Sequence, residues 1–127
     1  MSAFVNALLL GGAGAVGTLL RAGCNMLAMR LLGPVFPWGT FLVNISGSFA
    51  FGAIMAMSRS RAISTEQAII LLTGLVGGFT TYSSFAFQSA ELLAEGRLAA
   101  ALAYTIAMNL LCVVAVWVGL QAGRAVL

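Results

Sequence analysis

Residues 73–88 read Thr73-Gly74-Leu75-Val76-Gly77-Gly78-Phe79-Thr80-Thr81-Tyr82-Ser83-Ser84-Phe85-Ala86-Phe87-Gln88. They lie inside a mostly apolar run over 67–93, longer than the roughly 20 residues a helix needs to cross a bilayer. A continuous helix is a poor fit to them. Gly77 and Gly78 are followed by five polar or hydroxylated residues in six, and each glycine weakens a helix by roughly 1 kcal/mol against alanine. The run is therefore expected to cross as a helix broken near the midplane. Irregular backbone at that depth is tolerated only where protein or a water-filled cavity surrounds it, and the freed carbonyls and amides can coordinate ions. Beyond the break, Tyr82 and Phe85 are three residues apart and share one face, so both rings can line one passage. Thr81, Ser84 and Gln88 form a second, polar face at the same spacing.

The rest of the chain has the same membrane character. Of 127 residues, 61% are hydrophobic and 7% charged, and mean hydropathy is +1.07, far from a soluble domain with roughly a quarter of its residues charged. Three further apolar runs cover 4–32, 40–57 and 98–120, giving one four-span, all-α membrane domain over 1–127. Gly33-Pro34-Val35-Phe36-Pro37, Ser58-Arg59-Ser60-Arg61 and Glu95-Gly96-Arg97 are the connections, too short to hold a soluble domain. The segment Met1 to Asn6 carries no basic residue and the first run is too long for a signal peptide, so it is expected to be retained.

Composition removes several functions. The only acids are Glu66, Glu91 and Glu95, every base is Arg, and Lys, His and Asp are absent. A Ser-His-Asp triad and a His-based zinc site are excluded, and no enzyme activity is expected. A net charge of +3 is too thin a footprint for nucleic acid. Cys24 and Cys112 form no CxxC pair and read as small buried thiols facing lipid or helix.

Small residues mark helix contacts. Gly74 with Gly78, Gly119 with Gly123, and Ser48 with Gly52 are small-xxx-small pairs that let backbones approach closely. Gly12-Ala13-Gly14-Ala15-Val16-Gly17 spells GxGxxG, but it lies within a long apolar run with no strand before it, so it reads as packing and not as a dinucleotide site. Polar groups inside the spans are the costly ones. Arg21 falls in the first run. Thr40, Asn44 and Ser48 recur every fourth residue and share one face of the second.

Orientation is weakly specified. Arg59, Arg61 and Arg124 fall on one side and Arg30 and Arg97 on the other, almost no positive-inside bias. Such a chain can insert both ways round and pair as an antiparallel dimer, like an inverted repeat.

With these residues in view, a family likeness emerges. Gly77 to Phe85 resembles the GGxTTFSTF signature of the CrcB/Fluc family of small dual-topology fluoride channels, and Pro37-Trp38-Gly39-Thr40-Phe41-Leu42-Val43-Asn44 resembles its PWGTLxVN. Gly14-Ala15 through Arg21, and Glu95-Gly96-Arg97, also fit. The resemblance implies a passive channel exporting fluoride ion through a bacterial inner membrane, built as an antiparallel dimer with two pores along its interface. It implies a structural sodium ion at the dimer centre, held by the backbone carbonyls of Gly77 and Thr80. It places the pore aromatics at Tyr82 and Phe85, the second-span asparagine at Asn44, the first-span arginine at Arg21 and a fourth-span tyrosine at Tyr104. Thr81, Ser84 and Gln88 complete the expected pathway.

The chain departs from the family pattern at four positions, two of them among these. Tyr82 replaces Phe, adding a hydroxyl. Gln88 stands where the family usually has Glu, removing a carboxylate. Met108 and Cys112 stand where Ser, or Ser and Gly, are common, thinning the polar track on the fourth helix or moving it to Asn109. These departures are compatible with a heterodimer as well as a homodimer. The other readings are a small dual-topology multidrug exporter, which needs an intramembrane carboxylate that the chain lacks before Glu66, and a non-transporting membrane scaffold, for which a broken helix has no use.

Overall fold

The computed structural model describes residues 2–127; Met1 of the expected 1–127 domain lies outside them. Helix α1 covers Ala3–Leu32. Ser2 caps it, its hydroxyl accepting from the Val5 amide at 3.3 Å, as an N-cap serine does. Helix α2 covers Trp38–Arg59, beginning directly after Pro37, whose fixed φ suits a helix start. The third crossing is a composite over Thr65–Ala94. A short α3 (Thr65–Ile69) opens it with a capping box between Ser64 and Gln67, a π-helical stretch follows over Ile70–Val76, and α4 is one turn, Gly77–Phe79. After the break, α5 covers Tyr82–Ala94. Helix α6 covers Leu98–Ala125.

The four expected spans are present, each long and apolar enough to cross a membrane. Several boundaries lie one or two residues outside the expected ones, and one lies five outside. Helix α2 starts two residues before 40, and α6 runs five beyond 120. The apolar run sets the membrane crossing, whereas the helix continues until its backbone loses support. Gly123 does not stop α6 because it is buried against Ala53 and Ala56 of α2.

Two close helix pairs build the bundle. Helix α2 packs along α6, and α1 packs along the π-helical stretch and α4. Each seam needs glycine because backbone meets backbone. A Cβ on Gly119 would strike the Phe49 carbonyl, and one on Gly52 the Val116 carbonyl. In the other seam, a Cβ on Gly17 would strike the Leu75 carbonyl and one on Gly78 the Gly14 carbonyl. The small-residue pairs thus pack helices as expected. Gly12, the first glycine of the GxGxxG string, is the exception: a Cβ there meets nothing within 4 Å. Gly119→Ala is therefore expected to cost up to about 3 kcal/mol by overpacking. Gly12→Ala should be neutral or slightly stabilising through helix propensity. The monodisperse fraction of each detergent-purified variant against temperature checks this contrast.

The two loops at one end of the bundle are joined. Arg97 donates to the Val35 carbonyl at 3.0 Å, tying the α5–α6 turn to the α1–α2 loop, and also lies 3.5 Å from Glu95. Only Gly17 and Ala28 of α1 are buried, and α6 shows Leu110, Val113, Val114 and Trp117 on its exterior. So much exposed apolar surface is what a lipid-embedded chain displays. The chain is a multi-pass integral membrane protein.

Candidate functional site

The break lies at Thr80 and Thr81, two residues beyond the glycine pair. Gly77 is still helical (φ −62, ψ −37), whereas Thr80 (φ −86, ψ 158) and Thr81 (φ −153, ψ 114) are extended. Gly78 thus serves the α1 seam, where a Cβ would strike the Gly14 carbonyl, and the β-branched threonines carry the break. Both threonines are suited to it. Thr80 turns its hydroxyl back onto the Val76 carbonyl at 2.9 Å, closing the end of α4. Thr81 caps α5: its hydroxyl accepts from the Ser84 amide at 3.3 Å and donates to the Ser84 hydroxyl at 3.1 Å.

Asn44 holds the interruption. Its Nδ2 donates to the Thr81 carbonyl at 3.0 Å, and the Thr81 amide donates to its Oδ1 at 2.8 Å. One buried side chain thus replaces a turn's worth of helical bonding for Thr81, which itself is 7% exposed. A fully paired polar group is the condition for burying such backbone at all. The sequence places Asn44 in a polar stripe, but nothing in its spacing shows this partner, which is 37 residues away.

Diverting the Thr81 amide to Asn44 leaves the Gly77 carbonyl without the i+4 donor a continuous helix would supply. The Thr80 carbonyl accepts from Arg21 Nη1 at 3.4 Å, and a carbonyl has a second lone pair. Arg21 thus reaches inward to the break and not outward to the bilayer surface. Hard-oxygen donors of this kind suit an alkali cation, so the residues present fit the sodium that the resemblance implies.

A groove of about 370 Å³ opens beside the break, lined by Asn44, Thr80, Tyr82, Phe85, Met108 and Cys112 among others. Tyr82 and Phe85 both reach it, their ring centroids 5.4 Å apart at 70°. They differ sharply in exposure: Phe85 is 4% exposed and Tyr82 75%. Thr81 also lines the groove, although the sequence turned it away from the aromatic face. Asn109 lines it too, its amide bonded to the Thr105 carbonyl at 2.8 Å, and so provides the polar group on α6.

Phe85 leads from this groove toward the loop end. It packs edge-on against Tyr104, with ring centroids 5.2 Å apart. Tyr104 is fully buried, and its hydroxyl donates to Gln88 Oε1 at 2.9 Å. Gln88 in turn lines a second cavity of about 320 Å³, together with Asn25, Trp38, Glu91 and Arg97. Four candidate residues, three from the third span and Tyr104 from the fourth, therefore form one connected track, Tyr82–Phe85–Tyr104–Gln88. Sequence reading missed Phe36 and Phe41, which pack against Tyr104 at 5.1 and 6.2 Å and complete its aromatic housing. Their closeness to the PWGT segment was the available signal. Cys112 is half-buried at the groove, and Cys24 is exposed on α1: α1 packs by one narrow glycine face, and Cys24 lies off it, on surface open to lipid rather than against a neighbouring helix.

Comparison with known proteins agrees with this architecture. The family described as CrcB-like protein, Camphor Resistance (CrcB), matches residues 8–120. A protein of Agrobacterium fabrum named fluoride-specific ion channel FluC is 40% identical over 121 residues, 94% of this chain and 97% of its own length. A protein of the same name from Chelativorans sp. strain BNC1 is 42% identical over 115 residues, 90% of this chain and 92% of its own. Another from Anaeromyxobacter sp. strain K is 47% identical over 103 residues, 80% and 82%. With the match running through both broken-helix and PWGT segments and across nearly all four crossings, the chain belongs to the CrcB family.

Proposed function

We propose that the chain is a passive fluoride channel of a bacterial inner membrane, working as an antiparallel dimer. The observation that carries this reading is the helix break clamped by Asn44 beside an aromatic-lined groove. Fluoride is small and strongly hydrated, so a narrow pore must replace its water. Ring edges carry the positive end of the aromatic quadrupole, and Phe85 and Tyr82 border the groove where such edges are needed. Gln88, with Oε1 committed to the Tyr104 hydroxyl, keeps its amide N–H groups to offer to an anion. The Ser84 hydroxyl, which accepts from Thr81 and so keeps its own proton, and the second N–H of the Asn44 amide supply further donors. Arg21 adds positive potential beside the break, favouring an anion. No catalytic step is involved.

The Gly77 and Thr80 carbonyls of each subunit would hold a structural sodium ion at the dimer centre. Such an ion supplies charge that balances converging carbonyl dipoles. The second copy also gives Tyr82 a partner: an aromatic side chain 75% exposed at mid-depth is better suited to an interface than to lipid alone.

The relatives' names support fluoride as the ion. The exporter reading loses ground because Glu66, Glu91 and Glu95 are all exposed and near helix ends, away from mid-depth. In bacterial cells lacking their own fluoride export, expression of this chain should restore growth in fluoride medium. Growth no better than with an empty vector would count against the function.

Dual topology is tested separately. With Cys24 and Cys112 replaced, a cysteine introduced in the Ser58–Arg61 loop should be labelled from both sides of the membrane, as the near-balanced Arg count expects. Labelling from one side only would point instead to a non-identical partner subunit. Two Lys added to one loop should fix the orientation and reduce flux from a chain expressed alone.

A further inference from the structure

Met108 and Cys112 are one helical turn apart on α6, and the Cys112 thiol points at the Met108 thioether, Sγ to Sδ 3.8 Å. Met108 is 4% exposed and Cys112 half-buried, and both line the mid-depth groove. Two sulfurs bound to one metal at about 2.3 Å each are about 3.8 Å apart at tetrahedral angles and about 4.6 Å apart when linear. The pair therefore already stands at chelating distance, and methionine's three rotatable bonds can open it to the linear limit. Thiolate and thioether together select soft cations, and no carboxylate lines this groove to favour a hard one.

We propose that Met108 and Cys112 form a binding site for thiophilic monovalent cations, Ag(I) or Cu(I), in the wall of the groove. Binding breaks the Cys112 S–H bond and forms a sulfur–metal bond, the proton passing to water, while Met108 donates a lone pair without losing a proton. A cation there occupies the wall of the same groove that Asn44 and Phe85 line, so occupancy obstructs the groove. That last consequence rests on the channel reading; the binding itself does not.

The probe is silver nitrate in chloride-free buffer, titrated calorimetrically into the detergent-purified full chain carrying Cys24→Ser. One Ag(I) should bind per chain and protect Cys112 from maleimide. Adding Met108→Leu, close in size, should weaken binding at least ~10-fold, the loss of one of two sulfur ligands. Adding Cys112→Met instead should keep binding but abolish proton release. In liposomes, fluoride efflux by the Cys24→Ser protein should fall on adding silver. Unchanged affinity in Met108→Leu, or no binding in Cys112→Met, overturns the two-sulfur site. Full efflux with silver bound overturns its place on the pathway. Silver binding in a protein that passes no fluoride even without metal strikes the channel reading and leaves the site standing.

Discussion

Asn44→Leu is expected to abolish fluoride flux and to reduce the yield of folded protein. Leucine nearly matches asparagine in shape, so packing between α2 and the break is preserved while both hydrogen bonds to Thr81 vanish. The Thr81 amide and carbonyl are then left unpaired among buried groups, at about 1–3 kcal/mol each. The two together total about 2–6 kcal/mol, and a value of about 4 kcal/mol shifts the broken-helix population by several hundred-fold, since about 1.4 kcal/mol is a factor of ten. The chain can relieve the penalty only by closing the break into helix, which would pull Tyr82 and Phe85 out of register. Asn44→Asp should fail as well, because one carboxylate oxygen can still accept from the Thr81 amide while the other faces the Thr81 carbonyl. Flux per folded protein, measured after size-exclusion chromatography, checks both variants. Wild-type flux in Asn44→Leu would show that the clamp has no part in the pathway.

Phe85→Ile should remove most of the flux while leaving assembly detectable. Isoleucine keeps apolar bulk but has no quadrupole to offer an anion. It also forfeits the edge contacts to Tyr82 and Tyr104, at 5.4 and 5.2 Å, worth about 0.5–1.5 kcal/mol each. A purely structural role for the ring would weaken assembly but leave the surviving dimers conducting normally. Flux normalised to dimers separates the two, and normal conduction in an intact Phe85→Ile dimer would remove Phe85 from the pore. Tyr82→Phe is the companion. The Tyr82 hydroxyl has no hydrogen bond among the described residues, and a lost ordinary hydrogen bond of about 0.5–1.5 kcal/mol corresponds to at most about tenfold. That variant should therefore stay active within about tenfold.

The four crossings were legible because hydropathy and length act over whole helices and need no partner. So was the break, since the run from Gly77 to Ser84 combines weak helix formers with hydroxyls that can cap the next helix. Its position was less legible: glycines signal both flexibility and close approach, and here the α1 seam claims Gly78 while Thr80 and Thr81 take the extended conformation. The π-helical stretch over Ile70–Val76 had no distinguishing mark, because its Thr73 and Gly74 read equally well as small residues packing an α-helix. Asn44 and Gln88 stood out in the sequence as polar groups within apolar runs, but their partners did not. Hydrogen bonds from α2 to the break and from α6 to α5 depend on how helices meet, which one chain's periodicity does not encode.

The most direct test of an anion pathway at the Asn44-held break is efflux from liposomes loaded with potassium fluoride, read with a fluoride electrode after valinomycin is added. Purified protein should release fluoride down its gradient without ATP or a proton gradient, and liposomes loaded with chloride should release far less. Fluoride release no faster than from protein-free liposomes would contradict it.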